Sequence, residues 1–139
     1  MKKVLFLLLI SIQQLNAQKE KEFEGINQTL LDYIEGTANG EPNRLKRAFH
    51  KDFNLYFVQN DSLKIWNGQE YIGSVKEGQK ANRIGRVVSI DYAENAAIAK
   101  IEIDMPARKR LYTDYLMLLK YEGQWKIIHK SFTFKEYSK

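Results

Sequence analysis

A chain of 139 residues with 44% apolar and 12% aromatic content has enough hydrophobic side chains for one packed domain, and this is not the composition of a disordered segment. Its formal charge of +5 comes from 22 basic and 17 acidic residues that alternate along the chain, so a clustered basic face for nucleic acid is not expected. There is no cysteine, which excludes disulfides, thiolate catalysis, thiolate metal ligation and lipid attachment at a cysteine.

Residues 1–17 have the pattern of a cleavable export signal. Lys2 and Lys3 give a basic start, Val4 to Ile12 is an apolar run interrupted by Ser11, and Ala17 is a small residue suited to a cleavage site. The run is too short to span a bilayer, so no stable membrane insertion is expected after cleavage. The protein is therefore expected in the periplasm or outside the cell, with a mature charge of about +3 once Lys2 and Lys3 are removed. Residues 18–22 are charged and apolar-free and read as a short solvated lead-in. A single domain is expected over 23–137.

Phe23, Ile26, Leu30, Tyr33 and Ile34 recur at helical steps and form one apolar helix face, stopped by Gly36 and the Asn39-Gly40 pair. Pro42 suits the first turn of a second, short helix packed through Leu45, Ala48 and Phe49. His50 then falls at that helix's end. Leu55–Val58 and Leu63–Trp66 are strand signals joined by Asn60-Asp61-Ser62. Asn67 with Glu70 resembles a capping box for a third helix, with Tyr71, Ile72 and Val75 inward and Gly78 at its end. Val88, Ile90 and Tyr92 alternate with polar residues, as do Ala97, Ala99, Ile101 and Ile103 after the Glu94-Asn95 turn. A loop with Pro106 leads to a long strand from Leu111 to Lys120. Glu122-Gly123 turns the chain into a last strand from Gln124 to about Phe134. This order implies an α+β fold, with three helices packed on a strongly curved antiparallel sheet that leaves a hollow between the layers.

The last hairpin resembles a known family. Asp114-Tyr115-Leu116, Leu118, Lys120, Gly123, Trp125, Ile127 and Lys130 are similar to the putative lumazine-binding family of the nuclear transport factor 2-like superfamily. So are Asp32-Tyr33-Ile34-Glu35-Gly36, Arg44-Leu45, Ala48-Phe49-His50, and Ala97 with Ala99. The resemblance covers essentially the whole mature chain. It implies a cone-shaped fold that is often dimeric through the outer surface of the sheet. Its relatives include scytalone dehydratase, ketosteroid isomerase and polyketide cyclases as well as binding and accessory domains, so fold alone does not select an activity.

A regular two-residue hairpin at Glu122-Gly123 pairs Lys120 with Trp125, Leu118 with Ile127, Leu116 with His129 and Asp114 with Ser131, all on one face. Tyr115 and Lys130 then fall on the other, a dimer contact or a solvated surface. In that register Asp114 and His129 point into the hollow as diagonal neighbours, with β-carbons about 7 Å apart. Such a pair either works as an acid/base couple or simply satisfies two half-buried polar groups. His129 departs from the asparagine usual to the family. Tyr112 adds a phenol on the same face, and Trp66, Tyr33, Tyr92 and Leu116 complete the expected ligand contacts. Trp125 reads chiefly as core. No phosphate-cradling glycine loop, nucleophile elbow or metal-ligand spacing is present, so neither cofactor nor metal is expected. Three functions remain open: an exported binding or accessory protein for a small apolar or aromatic ligand, with a mostly apolar pocket; a cofactor-independent isomerase, dehydratase or cyclase using Asp114 and His129; and an interaction module dimerising through the outer sheet face.

Overall fold

The computed structural model describes residues 2–137, with the side chains of residues 2–12 and 15 outside that description. The element order is α1 (Lys2–Asn39), α2 (Pro42–Ala48), β1 (Phe49–Gln59), β2 (Ser62–Asn67), α3 (Gly68–Gly73), β3 (Ile84–Ala93), β4 (Ala96–Met105), β5 (Arg110–Tyr121) and β6 (Gln124–Glu136). The apolar run of the expected leader lies outside the described side chains. Residues 18–22 are not a loose lead-in: they are helical, and the Glu22 carboxylate accepts from Lys120 Nζ at 2.6 Å and Trp125 Nε1 at 3.0 Å. Among the described residues no helix is long and apolar enough to cross a membrane.

The six strands form one sheet in the order β2-β1-β6-β5-β4-β3. It is mixed rather than antiparallel throughout, because β1 runs parallel to β6. The two lie far apart in sequence, joined by long-range pairing that local alternation does not encode. Ile26, Leu30, Tyr33 and Ile34 on α1 pack with Leu45 and Ala48 of α2 onto Ala97, Ala99, Ile101, Ile103, Leu116, Leu118 and Ile127. Each of these side chains is more than nine-tenths buried, worth about 1.5–3 kcal/mol for a fully buried large aliphatic.

Local chemistry sets the element ends. Asn67 Oδ1 accepts from the backbone N–H groups of Gln69 and Glu70, capping α3. Gly68 lies so close to Phe53 that an added β-carbon would sit 2.2 Å from the Phe53 carbonyl oxygen, so only glycine fits there. Glu122 and Gly123 both have positive φ, 49° and 75°, as the tight turn between right-twisted strands requires.

Two bulges alter the expected faces. In β3 the pairing shifts between Val87 and Ser89, so Val88 is exposed and Val87 joins the inner face with Ile90 and Tyr92. In the last hairpin the expected register holds only as far as Leu118 opposite Ile127. Beyond it Met117 lies opposite His129, Leu116 opposite Lys130 and Asp114 opposite Phe132, with Ile128 as the extra residue. One inserted residue exchanges the faces of every side chain after it. Lys130 therefore points inward and His129 outward.

Candidate functional site

The inward turn of Lys130 builds a buried polar cluster under α1. Asp114 stands on the inner face of β5 two residues before Leu116. Tyr33 comes down from α1, one helical step beyond Leu30. Lys130 Nζ donates to Asp114 Oδ2 at 2.8 Å, and the Tyr33 hydroxyl donates to the same oxygen at 2.5 Å. Lys130 also donates to the Tyr33 hydroxyl oxygen. The ion pair is almost wholly out of water, with 6% of the Lys130 side chain and 1% of Asp114 exposed.

Rings surround the ammonium group, which lies 4.7 Å from the Tyr33 centroid, 5.2 Å from Phe132 and 5.6 Å from Tyr71. Such contacts compensate part of the lost hydration. Burial, reinforced by the negative charge of Asp114, pushes the Tyr33 phenol well above its ordinary pKa, so it stays a proton donor.

A cavity of about 450 Å³ opens above this cluster. Asp114 and Lys130 form its floor. Leu55, Trp66, Val75, Met105 and Phe132 supply apolar wall, and Lys76, Lys80, Arg83 and Arg108 stand around it. The segment carrying Lys76, Lys80 and Arg83 is tied to the end of α1, because Gly78 N–H donates to the Gly40 carbonyl and Ala81 N–H to that of Ala38, each at 2.8 Å. Charged side chains share the lining of the hollow with the apolar wall expected from the strand pattern.

Three buried polar atoms beside the cavity have no partner: Asp114 Oδ1, Tyr71 Oη and Arg83 Nε. Burial works to lower the Arg83 pKa, but the oxygens of Tyr33, Tyr71 and Asp114 around it outweigh that and leave the guanidinium more firmly charged. Unsatisfied groups of this kind are rare in folded proteins and are costly unless something completes them.

The expected site residues separate into three groups. Tyr112 and Trp66 line the cavity. Tyr33 lies beneath it, holding Asp114, and Leu116 is buried core. Tyr92 is elsewhere: its hydroxyl donates to the Lys19 carbonyl at 2.9 Å, and its ring borders a shallow hollow with Ala97 and Leu118. His129 does not meet Asp114. It stacks on Tyr56 with ring centroids 4.8 Å apart, on the other side of the sheet. His50 is the second residue of β1 and meets the Tyr121 ring edge-on. Lys130, Arg83 and Tyr71 are the site residues that sequence reasoning missed. Lys130 was among the family-like residues, and the bulge hid its direction. Among the described residues no three His, Asp or Glu side chains converge into a metal site.

Solved structures share this architecture. An NTF2-like protein of unknown function from Shewanella baltica superimposes with a TM-score of 0.74 at 23% identity, covering 84% of this chain and 96% of that one. A second, from Methylobacillus flagellatus, gives 0.71 at 25% identity over 83% and 93%. The putative scytalone dehydratase of Novosphingobium aromaticivorans gives 0.60 at 15% identity over 89% and 93%. Among curated proteins, aldolase FrzH of a Cladobotryum species is 29% identical over 114 residues, which cover 80% of this chain and 90% of that protein. The family model described as putative lumazine-binding matches residues 21–133, from the turn of α1 that holds Glu22 to the far side of the Asp114–Lys130 pair. The chain belongs to the putative lumazine-binding family, within the nuclear transport factor 2-like fold.

Proposed function

We propose that the protein is exported and binds a small molecule in the cavity above Asp114. The observation that carries this reading is the buried Asp114 carboxylate: Lys130 and Tyr33 saturate Oδ2, while Oδ1 has no partner beside a cavity large enough for a small organic ligand. A ligand donating to Oδ1 completes the site. The basic and apolar start of the sequence supports export. Mass spectrometry of small molecules extracted from protein purified from its native source tests the binding reading. One compound at near-stoichiometric yield from wild type and depleted from Asp114→Leu is the expected result. Equal yields from both proteins count against it.

A second reading has a specific support in the aldolase relative. Asp114 then acts as a general base through Oδ1, removing a proton from the carbon beside a ligand carbonyl, without a cofactor. Lys130 and Tyr33 hold the carboxylate in place through Oδ2. His129 has no part in it, because it stacks against Tyr56 away from Asp114. Solvent deuterium exchange into a bound ketone, present in wild type and absent in Asp114→Asn, distinguishes turnover from simple binding.

We also propose that the chain forms a homodimer through the outer face of β4 and β5. Ile98, Tyr115, Met117 and Leu119 are exposed side by side there, with Ile98 paired to Met117 across the strands.

A further inference from the structure

The charge of the cavity identifies the class of ligand, on the premise that it is a small-molecule site. Lys130 and Asp114 compensate each other on the floor. That leaves Lys76, Lys80, Arg83 and Arg108 around the same hollow with no acidic side chain among the remaining lining residues. The carboxylate nearest in sequence to Lys76, Glu77, belongs to a separate hollow beside α2. The ion pairs formed by arginines among the described residues use Arg44, Arg47, Arg86 and Arg110, not Arg83 or Arg108.

The exposed lysines alone carry little, because mobile surface charges are screened by salt. Arg83 is different. It is largely withdrawn from water, keeps its charge, and has an Nε–H with no acceptor. The carboxylate near this guanidinium, Asp114, is already paired with Lys130, so Arg83 favours an anion arriving from outside, and its planar fork matches a carboxylate.

The three unpartnered atoms restrict the ligand further. Arg83 Nε offers only a donor, Asp114 Oδ1 in its ionised form only an acceptor, and Tyr71 Oη either. A ligand that completes all three presents an anionic acceptor to Arg83 and a hydroxyl or enol donor to Asp114. The wall of the same cavity carries the rings of Trp66, Tyr112 and Phe132, which suit a flat apolar body. We propose that the cavity takes a compact aromatic hydroxy- or keto-carboxylate, with its carboxylate on Arg83 and its hydroxyl or enol on Asp114.

Isothermal titration calorimetry on the full chain tests this with salicylate, 4-hydroxybenzoate, mandelate and phenylpyruvate, each compared with its methyl ester. At least one acid is expected to bind at least tenfold more tightly than its ester. Arg83→Gln is expected to remove that preference without weakening the ester, and Arg83→Lys to retain part of it. Unchanged melting of the Arg83 variants separates lost recognition from lost folding. Acids and esters binding equally, or acids binding Arg83→Gln as tightly as wild type, would overturn the assignment while leaving a small-molecule cavity in place. No binding by any acid also overturns it, and extraction of a neutral compound from native protein would then show that the cavity is used by another class.

Discussion

Lys130 and Asp114 are diagonal neighbours across β5 and β6, joined at 2.8 Å with their charges almost completely buried. Removing two charges from water is expensive, and their attraction roughly balances that cost only while both are present. Lys130→Met leaves a buried carboxylate without its cation and is expected to lower stability by about 3–5 kcal/mol. The double variant Asp114→Leu/Lys130→Met is expected to recover most of that loss, because the cavity floor becomes apolar. Urea unfolding of the two single variants and the double variant measures the coupling; additive losses would mean that the pair does not act as a unit.

Tyr33→Phe removes a hydroxyl that both donates to Asp114 and accepts from Lys130, while keeping the ring against Phe49. The expected loss is about 1–3 kcal/mol. The pH dependence has a definite sign. The folded phenol titrates above the ordinary value of 10.0, so the folded state holds its proton longer than the unfolded chain does. Its contribution is complete below pH 10 and is lost as pH rises from there toward the folded pKa. Alkaline unfolding curves should fall more steeply above pH 10 in wild type than in Tyr33→Phe.

At the acid end Glu22 has the opposite sign. The hydrogen bond from Lys120, helped by Trp125 and opposed by partial burial, holds its carboxyl below the ordinary 4.5. The stabilisation it gives is present above pH 4.5 and is lost as pH falls through the folded pKa. Glu22→Gln should flatten the acid limb of the stability profile. It should also speed hydrogen exchange in the helix turn around Glu22, which lies on the mature side of the proposed cut after Ala17.

Met117→Glu places a charge in the centre of the exposed apolar face of β4 and β5, at a position 50% exposed in the single chain. It should leave the melting temperature of the monomer nearly unchanged and halve the mass seen by light scattering. A wild type that is monomeric at micromolar concentration would remove the dimer proposal.

Much of the fold could be read locally. The Pro42 start of α2, the Asn67 cap of α3, the Glu122-Gly123 turn and the alternating Ala97, Ala99, Ile101 and Ile103 face each rest on residues within one element, and each appears where expected. Trp66 and Tyr112 reached the cavity for the same reason. Residues 18–22 looked solvated because they lack apolar side chains. Their order comes from Lys120 and Trp125, about a hundred residues further along the chain.

The sequence by itself determined the helix faces, the hairpin turns, the inner face of β4 and the family, because those signals lie in period, caps and short motifs. It also placed Asp114 on the inner face. Only the tertiary structure decided what Asp114 meets there. Ile128 carries no glycine or proline to announce a bulge, yet it shifts the pairing just where the β1 register also breaks, between Phe49 and Asn54. Strand side chains alternate with period two, so that single extra residue carries His129 out to Tyr56 and brings Lys130 in to Asp114 and Tyr33. The parallel pairing of β1 with β6 and the placing of Arg83 beside the same carboxylate arise in the same way, from contacts between segments far apart in the chain.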